Sequence, residues 1–223
     1  MDRTEHTPLV RRLTPADGSD ILSLYARCGR DGAWCGADTL SAVFSTGAWW
    51  GGFSDGALCL CAPAVPADAA LPQASMLRDA LAGFPVKTLL LPPAVSPQGT
   101  ERAETLLPAL LAALDTTLPG ALPSLAAAVP MKYPPALMNG YLTAGLSAFR
   151  VRPLLSLRPN YLLAACTPEP PVPGTVSAFC MPLDGTLAIS RLLEQGYCLT
   201  ALRHLPPDPR LMGELRRASP PFG

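Results

Sequence analysis

YPPALMNGYLTAGLSAFRVRPLLSLRPNYLL, residues 133–163, decides how this chain is read. The spacing predicts a short helix from Pro134 to Ala144, a stop at Gly145 and a long strand from Phe149 to Leu157. A glycine just past the last helical residue takes a backbone conformation that ends helices. Tyr141 lies one helical turn before that stop, in Tyr141-Leu142-Thr143-Ala144-Gly145. Pro153 cannot donate to a ladder, so it predicts an edge position or a bulge in the strand.

Upstream, Leu9 to Leu13 reads as a first strand. Thr14 is placed to cap a helix, with Pro15 in its first position and Asp17 three residues after the cap. That helix runs to about Gly29, and Asp38 to Phe44 is a second. Trp49 to Phe53 and Ala57 to Ala62 form a hairpin across Ser54-Asp55-Gly56, because Asp-Gly between apolar runs favours a tight turn. Gln73 to Phe84 has helical periodicity. Val86 to Leu91 is a buried strand that Pro92-Pro93 should break or bulge. Thr100 to Leu114 is a helix with Leu106, Leu107, Leu110 and Leu111 on its apolar side, and Pro108 should kink or split it. Leu122 to Val129 is the next strand.

Downstream, 167–174 is a proline-rich linker. A further unit follows: strand Val176 to Pro182, a helix capped by Asp184 that ends at Gly196, and strand Tyr197 to Leu202. The tail from Pro206 carries at most a turn of helix at Leu211 to Arg217. The two helix–Gly–strand units are alike in pattern, with no convincing repeat of residues.

This order of elements resembles the GNAT superfamily of acyl-CoA-dependent N-acetyltransferases. The resemblance covers about residues 8–163. It rests on the Tyr141–Gly145 segment before a strand, the Val10-Arg11-Arg12-Leu13-Thr14-Pro15-Ala16-Asp17 opening and the Trp50-Gly51-Gly52-Phe53 strand. It implies an α/β (α+β) fold with a mixed, mostly antiparallel central sheet flanked by helices and split at its fourth and fifth strands. Residues 1–166 would be that domain, 167–174 the linker, and 175–223 a strand–helix–strand extension on it.

The resemblance also implies an activity: transfer of an acetyl group from acetyl-CoA to the amine of a small molecule or peptide. Tyr141 would be the general acid that protonates the leaving thiolate. The cofactor contacts would be Ala94 and Val95, as backbone donors beyond the prolines, and Gln98, Gly99, Thr100, Arg102 and Ala103 at a helix start, where free N–H groups and the helix dipole favour a diphosphate. In the family pattern an inner glycine stands where this chain has Glu101, and Pro92-Pro93 removes two amide donors. The residues alone allow plainer readings: Thr100 capping a helix with Glu101 complementing its dipole, and Tyr141 packed between helix and sheet. A catalytically degenerate binding or scaffolding module is therefore the alternative.

Composition limits the rest. Lys+Arg is 17 and Asp+Glu is 17, so no basic stripe suits a nucleic-acid phosphate backbone. No apolar run is long enough to span a bilayer, and the polar start lacks a signal-peptide core. With no export signal, the odd count of 7 cysteines reads as free thiols in a reducing cytoplasm. Cys59-Leu60-Cys61 should put two thiols on one face of a strand, with no further ligands for a metal. His6 and His204, far apart, read as surface residues. The sequence leaves a homodimer open.

Overall fold

The computed structural model describes residues 9–28, 35–82, 84–118, 120–131, 134–154, 158–169, 178–204 and 210–219. His6 and most of the proline-rich linker lie outside them.

The chain opens with strand β1 (Leu9–Arg12) and reaches helix α1 (Gly18–Cys28) through a 3-10 turn at Pro15–Asp17. The Asp17 carboxylate accepts from the Thr14 N–H at 2.8 Å and from both terminal nitrogens of Arg11, at 2.6 and 3.0 Å. This two-pronged pairing ties strand to helix start, as the Thr14-Pro15-Asp17 spacing predicts. Hydrogen bonds from Arg11, then the Thr14 N–H, hold the Asp17 carboxyl well below the usual carboxylate range. Folding lowers this pKa, so the stabilisation is complete above the unfolded value near 4 and disappears as pH falls below it. Asp17→Ala should therefore cost about 1–2 kcal/mol at pH 7. In denaturant melts that difference should shrink at pH 3.

Helix α2 (Ala37–Thr46) leads to the hairpin of β2 (Ala48–Ser54) and β3 (Ala57–Pro66). Asp55 (φ 52) and Gly56 (φ 78) both take positive φ, the geometry a two-residue hairpin needs. Trp49 and Trp50 point to opposite faces and are both buried. One expectation is corrected here. Cys59 and Cys61 do not share a face: they sit in the two different core clusters. Gly52 faces Leu60 while Phe53 faces Leu58, so Cys59 is an extra, bulged residue that reverses the alternation.

Helix α3 (Pro72–Ala80) precedes β4 (Thr88–Leu90), and β5 (Ala94–Val95) follows. Helices α4 (Pro97–Glu101) and α5 (Ala103–Thr117) divide the stretch expected as one helix from Thr100. The break falls at Arg102 (φ −106), not at Pro108, which α5 accommodates in its second turn. A 3-10 turn at Leu122–Ser124 delays the next strand, so β6 is Leu125–Pro130. Then come α6 (Pro135–Thr143), β7 (Ser147–Leu154), β8 (Arg158–Ala164) and the short β9 (Thr167–Pro168). The C-terminal part is β10 (Ala178–Pro182), α7 (Thr186–Glu194), β11 (Tyr197–His204) and β12 (Leu211–Ser219). The helical turn expected at Leu211 to Arg217 is instead a strand, because β12 is inserted between β10 and β11 and its backbone bonds to both.

The strands form one sheet in the order β1-β2-β3-β4-β6-β8-β7-β11-β12-β10. Only β4 and β6 pair in parallel among the described strands; the other pairs are antiparallel. This is the mixed, mostly antiparallel sheet that the resemblance implies. Helices α1, α2 and α3 cover one face, and α5, α6 and α7 the other. The apolar side of α5 (Leu106, Leu107, Leu110, Leu111 and Leu114) is wholly buried.

The C-terminal part also repeats the architecture before it. In β6-α6-β7-β8, strand β8 lies between β6 and β7; in β10-α7-β11-β12, strand β12 lies between β10 and β11. Equivalent positions are 51 residues apart from Pro135 to Thr186 and from Gly145 (φ 89) to Gly196 (φ 86). The ladder irregularities match too, between Ala148 and Arg150 in one unit and between Leu199 and Ala201 in the other. The units join where Ala148 pairs with Leu199, its own equivalent, so an approximate two-fold axis passes between these residues. Pro153 lies beyond that single pairing, on the free side of β7, the edge-like position its missing N–H requires.

Candidate functional site

Strands β4 and β6 run side by side only from Thr88–Leu125 to Leu90–Ala127. Beyond that point β6 keeps β8 as its partner, while the strand leaving β4 swings away to β5, whose one partner among the described strands is β3. The cause is local. Leu90 faces Ala64, yet Ala94 faces Cys61, so one extra residue is absorbed between them at Pro92-Pro93. Two residues without N–H groups cannot hold a ladder, and a bulge results.

Helix α1 fastens this bulge from outside. Tyr25 Oη donates to the Pro92 carbonyl at 3.1 Å, and Cys28 Sγ donates to the Val95 carbonyl at 3.0 Å. Burial pushes the Cys28 thiol up, which keeps it protonated and able to donate. Sequence reasoning gave neither residue this role, because each acts on a carbonyl 67 positions away. The Ser96 N–H bonds to Cys59 of β3 at 2.8 Å. By alternation the Val95 N–H therefore faces away from β3, toward the divergence.

The start of α4 lies directly behind the bulge. Its cap is Ser96, not Thr100: Ser96 Oγ accepts from the Gly99 N–H at 3.1 Å, and its carbonyl accepts from Thr100 at 2.8 Å. Pro97 has no N–H, so only Gln98 in that turn has an amide left for a ligand. Gly99 has a packing reason to be glycine, since a Cβ there would lie 2.1 Å from the Cys59 carbonyl oxygen. Gln98 and Arg102 are exposed, Thr100 and Val95 half-buried, and Ala94 and Ala103 buried. Glu101 is exposed beside Arg102.

Tyr141 is fully buried on α6, in one cluster with Trp50, Cys59, Leu106, Leu107 and Leu110. Its neighbour Gly140 lets α6 press onto the first turn of α5 at Ala103. The fold thus gathers all eight residues singled out in the sequence around one junction of β5, α4, α5 and α6. The space between them is another matter. On the α3 side of the divergence, Gln73, Met76 and Leu77 meet Leu91, Pro92, Ala128 and Leu154 and leave about 0 Å³. The gap there is filled by the protein's own side chains.

Among the described residues, no group of three or more His, Cys, Asp or Glu side chains is arranged to hold a metal ion. No described helix is long and apolar enough to cross a membrane.

No protein-family model and no curated protein sequence matches the chain. Solved structures do resemble it. An N-acetyltransferase from Staphylococcus aureus is 12% identical and covers 71% of this chain and 96% of its own, with a TM-score of 0.49. The ribosomal-protein-S18-alanine N-acetyltransferase from Escherichia coli is 13% identical over 76% of this chain and 99% of its own, with a TM-score of 0.47. A GNAT-family acetyltransferase from Streptococcus agalactiae is 18% identical over 70% of this chain and 95% of its own, with a TM-score of 0.45. Likeness at this level says nothing about chemistry, which has to come from the chain's own residues.

Proposed function

We propose that this chain, folded around a GNAT-like divergent sheet, transfers an acetyl group from acetyl-CoA to the amine of a small molecule or peptide. The observation that carries the reading is the parting of β4 and β6 after Leu90 and Ala127, with Tyr141 on the helix that leaves β6. The Val95 N–H would take a carbonyl of the acyl arm. The Gln98 N–H and the Arg102 guanidinium would meet the diphosphate, with Ala94, Gly99, Thr100 and Ala103 forming the wall. The amine would attack the thioester carbonyl and give up its proton to water, the carbon–sulfur bond would break, and Tyr141 would supply the proton that the departing sulfur needs. Entry of the arm requires the α3 side chains to draw back from the divergence.

A second reading rests on that same filled gap. A domain whose cleft is occupied by Gln73 and Leu77, and whose helix start is capped by Ser96, serves as a binding module with no acyl transfer.

Melting with and without millimolar acetyl-CoA separates the two. A ligand present at about 100 times its Kd adds roughly 2.7 kcal/mol of stability. For a chain of this length that is a rise of about 5–10 °C. An unchanged melting temperature would favour the module.

A further inference from the structure

We infer that the crevice between the two repeated units is a ligand site for a small neutral molecule with an apolar body and one hydrogen-bond acceptor, such as an aryl ketone. A cavity of about 550 Å³ opens there, within the span of about 300–1,000 Å³ typical of small-molecule sites. None of the eight residues assigned above to acetyl transfer lines it. Binding there is therefore separable from that activity.

Both units are needed to build it. The first supplies the tips of β6 and β8. Val129 pairs with Tyr161, and residues directly opposite in a ladder project to one face. That face lies under α6, whose first turns bring Pro135 and Met138 to the cavity. Met131, just past β6, continues this wall. The second unit supplies the opposite wall. The Leu183 N–H donates to the Leu211 carbonyl at 2.9 Å, which carries the pairing of β10 with β12 one step further and sets both leucines against the cavity.

One buried polar group decides what belongs inside. Tyr161 is 4% exposed, and its hydroxyl bonds to none of the described residues. Unlike the Trp50 indole N–H, which is sealed in the core, this hydroxyl keeps accessible surface, and the space it meets is this cavity. A buried hydroxyl left unbonded is costly, and a ligand that brings an acceptor removes the cost. Burial pushes the Tyr161 hydroxyl up to about 12, so it stays protonated and able to donate. Charge on the ligand is disfavoured on two grounds. Asp184 and Arg210, both exposed at the mouth, are opposite in sign and favour neither kind of ion. Deeper in, Val129, Met131, Met138, Leu183 and Leu211 offer a charge nothing in exchange for its water. The two methionines suit an apolar body, because unbranched thioethers adapt to its outline.

The methionine methyls report on the walls. In protein labelled with ¹³C at those methyl groups, acetophenone, a neutral ketone on an aromatic ring, should shift the Met131 and Met138 resonances saturably. Met76, which lines a separate groove beside Arg150, should not move. Met131→Leu and Met138→Leu assign the two signals. Sodium benzoate, of the same shape with a full negative charge, should bind about tenfold more weakly or not at all. Tyr161→Phe keeps the ring and removes only the unbonded hydroxyl. Its melting temperature should equal or exceed the parent's, while its affinity for acetophenone should fall about tenfold, as loss of one hydrogen bond does. Met131 and Met138 signals indifferent to millimolar acetophenone would overturn the site. Equal binding of acetophenone and benzoate, or equal binding of acetophenone by the parent and Tyr161→Phe, would overturn the ligand class and with it the proposal. If Tyr161→Phe fails to fold, the benzoate comparison on the parent protein still decides.

Discussion

Tyr141→Phe is expected to lower acetyl transfer by a hundredfold or more while leaving acetyl-CoA affinity within about twofold. A positioned general acid contributes about 10²–10⁴ to a rate. A phenol, with an ordinary pKa near 10, suits a thiolate that forms as the carbon–sulfur bond breaks. The variant keeps the ring, and the ring is what packs against Leu106, Leu107 and Leu110. Binding and fold should therefore persist while the proton donor is lost. The measurement is kcat against Kd, with the melting curve as a control on folding. Turnover equal to that of the parent protein would strip Tyr141 of the role.

Gly140→Ala is expected to lower stability by about 2–3 kcal/mol, near the upper part of the range for overpacking, or a fall of about 4–12 °C in Tm for a chain of this length. Two effects oppose each other. Alanine is the better helix former by about 1 kcal/mol. Against that, the added Cβ would lie 2.5 Å from the Ala103 carbonyl oxygen and 2.9 Å from Leu107 Cδ1. The leucine tip can turn aside; a backbone carbonyl in the first turn of α5 cannot. Helix α6 has to retreat, and the clash outweighs the propensity. Because Tyr141 is the next residue, the same retreat shifts its ring, so any catalytic loss should track the loss of stability. A Tm equal to or above the parent's would mean that the contact between α6 and the first turn of α5 yields without cost.

Short-range chemistry was readable in the sequence. Thr14, Pro15 and Asp17 mark a helix start, Asp55-Gly56 a hairpin, Gly145 a helix stop and Pro92-Pro93 a bulge, and each carries its signal within four residues. What escaped depends on partners far along the chain. Cys59 reverses its face only because β2 opposes two residues of β3 with one. Ser96 displaces Thr100 as the cap because the chain resumes as β5 beyond the proline pair and turns into α4 directly after Val95. The residues of the candidate site were found in one place, since the order of elements fixes that place. The plug at its edge was not, because nothing local says that the polar Gln73 of α3 turns inward beside Leu77. The repeat is hidden for a related reason. Along α6 and α7 it preserves little beyond Leu142 with Leu193 and Gly145 with Gly196, plus an apolar pair at Met138 and Ile189. Burial and one left-handed glycine are enough to keep the geometry.

The meeting of Ala148 with Leu199 has a consequence for assembly. A strand like β7, left bare, is where two copies of a protein can zip their sheets into a continuous one. Here the chain has supplied the second half from its own C-terminus and arrives already doubled. Among the described strands the outermost are β1, which carries Arg11 and Arg12, and β10. Zipping a second copy onto β7 would first have to undo the seam that the chain has already sewn there.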